Sequence, residues 1–152
     1  MKKIFFVLLP VVFVFFTSCN NSEKKTDSLQ IKADSLEKEV IEGHNIAMPK
    51  SMKIPNLQKE AKQLLDSINK LPAKEQQASV SYKEKLETLL KDLDDAYAAM
   101  DKWMNEFNLD SFKNNTEQRI QYLSEEKMKV GNVKEALLSS LQKDDSILKK
   151  KN

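Results

Sequence analysis

The sequence predicts an all-α fold: an elongated antiparallel three-helix bundle whose first helix is kinked at Pro49/Pro55. Four helices are the alternative, if the kink there is a complete break. Three observations lead to this. Apolar residues recur at three- and four-residue spacing almost throughout residues 27–148, the period of an amphipathic helix. No stretch alternates apolar and polar residues as a half-buried strand does. Two glycines in 152 residues leave little material for the turns of a β fold and none for a glycine-rich phosphate loop.

The first helical region spans residues 27–71. Its stripe runs Leu29, Ala33, Leu36, Val40, His44, Ala47, Ser51, Ile54, Leu57, Ala61, Leu64, Ile68 and Leu71. The register holds across Pro49 and Pro55. A proline inside a helix removes a hydrogen bond and crowds the carbonyl four residues back. The preserved register favours one kinked helix; a break at residues 49–55 is the rival.

The second helix is expected over residues 79–107. Its stripe is Tyr82, Leu86, Leu89, Leu90, Leu93, Ala96, Tyr97, Met100, Trp103, Met104 and Phe107. Ser81 with Glu84 has the spacing of a capping box, whereas Pro72 offers an earlier start. Glu87 and Lys91 are an i,i+4 pair in the favourable orientation.

The third helix is expected over residues 116–148, with Asn114 and Asn115 as N-cap candidates. Its stripe is Ile120, Leu123, Val130, Val133, Leu137, Leu141 and Leu148, with Met128 beside it. Gly131 weakens its middle, and Lys149 to Lys151 suit the negative end of the helix dipole. Short connections imply antiparallel neighbours. A 30-residue helix is about 45 Å long, so the body is elongated.

Ahead of these helices, Lys2 and Lys3 precede a 13-residue apolar run, residues 4–16. A bilayer-spanning helix needs roughly 20 apolar residues, so this run suits the core of a secretory signal. It ends in Phe16-Thr17-Ser18-Cys19, which resembles a bacterial lipobox. That resemblance implies cleavage before Cys19, a diacylglycerol on its thiol, and anchorage through buried acyl chains. An ordinary signal leaving a free Cys19 is the other reading. By analogy with lipoprotein sorting, Asn20 after the cysteine favours the outer membrane, with the body facing the periplasm. The expected organisation is a signal peptide at 1–18, a lipidated polar tether at 19–26 and a helical domain at 27–152.

Loss of residues 1–18 removes two lysines. Lys+Arg falls from 25 to 23 against 23 Asp+Glu, so the mature chain is formally neutral. Balanced charge gives no argument for a nucleic-acid partner or for an anionic membrane surface. One Cys and one His exclude a disulfide framework and a Cys/His zinc site.

One constellation carries possible chemistry. His44, Met48 and Met52 follow one side of the first helix at four-residue spacing, and Met100 and Met104 do the same on the second, with Trp103 between them. The first connection is centred near Lys74. Met48 and Met100 are each 26 residues from it, and His44 and Met104 are each 30. Antiparallel helices therefore bring both groups to one level. A second connection centred near Ser111 adds Tyr122 at the level of Met100. Thioethers with an imidazole suit a soft cation, Cu(I) above all. Axial ligation of a haem is a weaker option, because three helices supply a poor slot for it. The plain reading is that flexible Met side chains fill irregular space around a proline kink.

Glu42-Gly43-His44, Met48-Pro49, Met52, Ala99-Met100, Trp103-Met104, Tyr122-Leu123 and the Glu125-Glu126-Lys127 run resemble a group of small Bacteroidota lipoproteins. Members often carry the label "viral A-type inclusion protein", a name that reflects coiled-coil similarity. The resemblance covers most of residues 36–137 and implies an envelope location and a helical fold, with no activity attached.

Two classes of function follow. One is a non-enzymatic envelope module with a structural role or a protein partner. The other is a soft-metal binder using His44, Met48, Met100 and Met104, with Met52 peripheral. Catalysis is not expected: the single imidazole has no nucleophile placed beside it. Paired carboxylates such as Asp94-Asp95 and Glu125-Glu126 are adjacent in sequence, so they do not face each other on a helix.

Overall fold

A computed structural model describes residues 21–148. They form α1 (Asn21–Ser51), α2 (Ile54–Asn69), α3 (Ala73–Ala78), α4 (Val80–Glu106) and α5 (Thr116–Ile147), with no strand among the described residues. Cys19 and the segment read as a signal lie outside those residues. α1 starts six residues earlier than expected, so most of the polar segment read as a tether is helical. No Pro or Gly occurs in residues 21–28, and Ser28 Oγ donates to the Lys25 carbonyl at 2.8 Å.

The first rod is α1 followed by α2, bent at Met52 and Lys53. The bundle with a bent first helical rod is as expected; the bend interrupts the helical hydrogen bonding at Met52 and Lys53, and the chemistry of proline gives the reason. Pro55 has no N–H, so the Ser51 carbonyl cannot receive its helical donor. At the break, Met52 N–H still donates to the Met48 carbonyl at 3.1 Å, but Lys53 N–H turns to Lys50, also at 3.1 Å. The chain then restarts with Pro55 in the first turn of α2, where a missing N–H leaves no helical bond unmade. The bend changes the rod's neighbour. α1 packs chiefly along α5, and α2 packs along α4.

α3 follows Pro72, as an early start would have it, but it stops after six residues at Ser79. The expected Ser81–Glu84 capping box does not form. Ser79 occupies the N-cap of α4 without a side-chain capping bond, and its hydroxyl donates to Glu75 at 2.9 Å instead. Gln76 Nε2 closes the turn by donating to the carbonyls of Asn69 and Leu71. Lys91 pairs with Asp95 one turn on rather than with Glu87. Asn115 caps α5 as expected, its side chain accepting from Gln118 N–H at 3.0 Å.

The core is a column of Val40, Ala47, Ile54, Leu89, Leu93, Ala96, Met100, Trp103, Leu123, Val130, Val133 and Leu137. A smaller cluster of Ala61, Ile68 and Leu86 lies under α2. α1 and α5 approach closely at Gly43, where a Cβ would stand 2.9 Å from Val130 Cγ1. Met128 stands outside the core, 63% exposed.

The α4–α5 connection shifts the register. Trp103 meets Glu126, and Phe107 stacks on Tyr122 at 6.3 Å between ring centroids. Tyr122 thus lies at the level of Phe107, about two helical turns from the level of Met100 expected for it. The cause is that residues 107–115 climb along the first turns of α5 instead of crossing directly. Asn108 N–H donates to Tyr122 Oη at 2.8 Å. Arg119, buried, donates to the carbonyls of Leu109 and Ser111 and pairs with Glu37 of α1. Phe112 sits there with φ at 57°, a left-handed conformation uncommon for a bulky residue. Its carbonyl accepts from Asn115 N–H at 2.9 Å.

Candidate functional site

The bend between α1 and α2 opens a pocket of about 260 Å³ against α4, lined by Met48, Ser51, Met52, Pro55, Tyr97, Asp101 and Met104. Each wall has a local cause. Met48 and Met52 are one turn apart, and the bond between their backbones keeps them on one side of the chain despite the break. Tyr97, Asp101 and Met104 come from successive turns of α4 at its edge. Asp101 Oδ2 accepts a bond from Asn105 at 3.3 Å. Met48 is half-buried against the core, Met104 is 37% exposed and Met52 is 68% exposed.

The two remaining members of the expected ligand set lie elsewhere. Met100 is fully buried in the main core and does not line the pocket. His44 lies against Trp103, with ring centroids 5.7 Å apart and planes inclined at 31°. Its Nδ1 is 3.2 Å from Asn45 Oδ1. Both groups lie at the height that counting residues back from the turn gives. The angle around each helix axis is not fixed by that count, and it separates the pocket from the core.

Trp103 is the hub of a second constellation. Phe107 stacks on it at 4.9 Å, and Tyr122 continues the row of rings. The indole Nε1–H donates to Glu126 Oε2 at 2.9 Å. Glu126 Oε1 accepts from Lys129 at 2.8 Å. That hydrogen bond is the main cause that holds the Lys129 ammonium above its ordinary pKa, with burial working against it. Glu126 is buried, although its sequence neighbour Glu125 is exposed. Both its oxygens have partners, which suits structural cross-bracing between α4 and α5.

Sequence reasoning also missed Arg119, Ser140 and Asp144 as buried positions. The signal was present in spacing. Residues 119, 123, 126, 130, 133, 137, 140 and 144 alternate steps of four and three, the seam of a coiled coil, with polar residues in half of its places. Ser140 Oγ uses its place to donate to the Asp92 carbonyl of α4 at 3.1 Å.

No group of three or more His, Cys, Asp or Glu side chains is arranged to hold a metal ion among the described residues. No helix among them is long and apolar enough to cross a membrane. The chain matches no protein-family model, no curated protein and no solved structure.

Proposed function

We propose that this chain is a lipid-anchored envelope protein whose helical body serves as a non-enzymatic structural or protein-binding module, held at the outer membrane and facing the periplasm. The observation that carries this reading is Cys19 set directly after a 13-residue apolar run with a basic start. Two further features support it. The helical body begins at Asn21, two residues beyond that cysteine, so an anchor there would hold a stiff rod close to the bilayer. Apolar side chains stand exposed along that rod and its neighbour, at Ile31 and Ile46 of α1 and Leu138 of α5. Scattered exposed apolar residues are ordinary on any surface, so the module reading needs its own test.

Fractionation of the native host tests the anchor. The wild-type chain is expected in the detergent-soluble membrane fraction, and Cys19→Ala in the aqueous fraction or retained unprocessed. A processed Cys19→Ala protein that still partitions with membranes overturns the anchor. Photo-crosslinking from position 31, 46 or 138 in intact cells tests the module. One discrete adduct from at least one of these positions is expected, and none from any of them overturns it.

A further inference from the structure

We propose that Met48, Met52 and Met104 form a binding site for a soft monovalent cation, Cu(I) or Ag(I), at the bend between α1 and α2, with the Asp101 carboxylate balancing the charge. The ligand set differs from the one the sequence alone suggests. His44 and Met100 are not part of it, because one lies on Trp103 and the other is sealed in the core.

Four observations point here. Three of the five methionines beyond the apolar run line one pocket, although nothing in a helical repeat demands that a pocket collect thioethers. Met100 is sealed in the core, whereas Met52 is 68% exposed at the mouth of the pocket, where an ion can reach it. The intact bond from Met52 N–H to the Met48 carbonyl keeps these two residues one turn apart, so their Cβ atoms are separated by about 5–6 Å. Each side chain has three rotatable bonds, enough to bring two sulfurs onto one ion, and Met104 closes the set from α4. Finally, the one carboxylate in the lining is Asp101. Neutral thioethers leave the charge of a bound cation uncompensated, and a nearby carboxylate lowers that cost.

The chemistry selects the ion. Thioether sulfur favours soft d¹⁰ monovalent cations, whereas hard ions need several oxygens and zinc favours imidazole or thiolate. One carboxylate and no imidazole offer little to Mg²⁺, Ca²⁺ or Zn²⁺. The exposed Met52 gives the ion a way in without any opening of the core.

The test uses the full chain in mild detergent, with Cys19→Ala in every variant so that no thiol competes. Cu(I) is titrated against a chromogenic Cu(I) chelator, and Ag(I) is followed through the ¹³C-labelled methionine methyl resonances. One equivalent of Cu(I) is expected to bind. Met52→Leu combined with Met104→Leu is expected to weaken it more than about tenfold. His44→Gln, Met100→Leu and Met128→Leu are expected to leave affinity unchanged. Ag(I) is expected to move three methyl signals, those of Met48, Met52 and Met104. Zn²⁺ is expected to move none. Absence of stoichiometric binding overturns the site, as does binding that survives the double variant or is lost with His44→Gln. The methyl spectrum decides the matter even if a variant folds poorly, because it needs only the unsubstituted pocket. The outcome is independent of the anchor, since every sample lacks Cys19.

Discussion

Trp103 and Glu126 are joined across the α4–α5 interface by a buried hydrogen bond, the indole Nε1–H donating to Oε2 at 2.9 Å. This bond fixes the height of α5 against α4 in the part of the core that also holds Met100 and Leu123. Trp103→Phe removes the donor and Glu126→Leu removes the acceptor. Each is expected to cost about 1–3 kcal/mol in urea unfolding, because each strands a buried polar partner. The double variant is expected to lose less than the two costs added, with a coupling of about 1 kcal/mol or more. Strict additivity would contradict the bond.

The two glycines of the chain are expected to respond oppositely to alanine. At Gly131 a Cβ meets nothing within 4 Å, so Gly131→Ala should gain roughly 0.5–1 kcal/mol from helix propensity. At Gly43 the new methyl meets the stiff β-branched Val130 at 2.9 Å. Overpacking of this kind costs about 1–3 kcal/mol and outweighs the same gain. Thermal unfolding of the two variants separates the effects. Equal stabilisation at both positions would mean that α1 and α5 stand further apart.

Arg119 holds three parts of the fold together: α5, the climbing segment at Leu109 and Ser111, and α1 through Glu37. Arg119→Met is expected to cost about 2–3 kcal/mol, since its bonds are charge-assisted and its partners lose them together. Proteolysis within residues 107–115 should accelerate. Arg119→Lys should rescue little, because a single ammonium cannot span the same partners. Full rescue by lysine would show that charge alone matters there.

Glu39 of α1 and Lys127 of α5 form an exposed ion pair whose effect depends on pH. The hydrogen bond from Lys127 comes first and its charge second in holding the Glu39 carboxyl below the usual carboxylate range. A lowered folded-state pKa contributes stability above the unfolded value and loses it as pH falls through the folded value. The stability difference between wild type and Lys127→Met should therefore be present near neutral pH and vanish in acid. Both groups face solvent, so the difference should also shrink in high salt. A difference that grows in acid would contradict the pairing.

Much of this fold was legible in the sequence, because a 3.6-residue period reports burial directly. Every stripe residue from Leu29 to Leu71 is buried or half-buried. The break at residues 52–53 was legible as a window, but two prolines six residues apart do not say which of them ends a helix. The height of the methionine groups was readable from counting residues back from a turn. Their direction was not: Met100 and Met104 are one turn apart, yet one faces the core and the other its edge. The α4–α5 register escaped because the count assumes a connection that crosses directly. Residues 107–115 climb instead, held by Arg119 and Tyr122, which spacing alone does not reveal. Glu126 escaped for a related reason. It reads as half of an acidic pair until the four-and-three seam through Leu123 and Val130 is followed across it.

The intact mass of the protein extracted from native membranes tests whether the helical body is anchored at the envelope through its cysteine. A chain beginning at Cys19 and carrying the added mass of a diacylglycerol is the predicted result. A chain that retains residues 1–18, or one that begins at another residue with an unmodified Cys19, would contradict it.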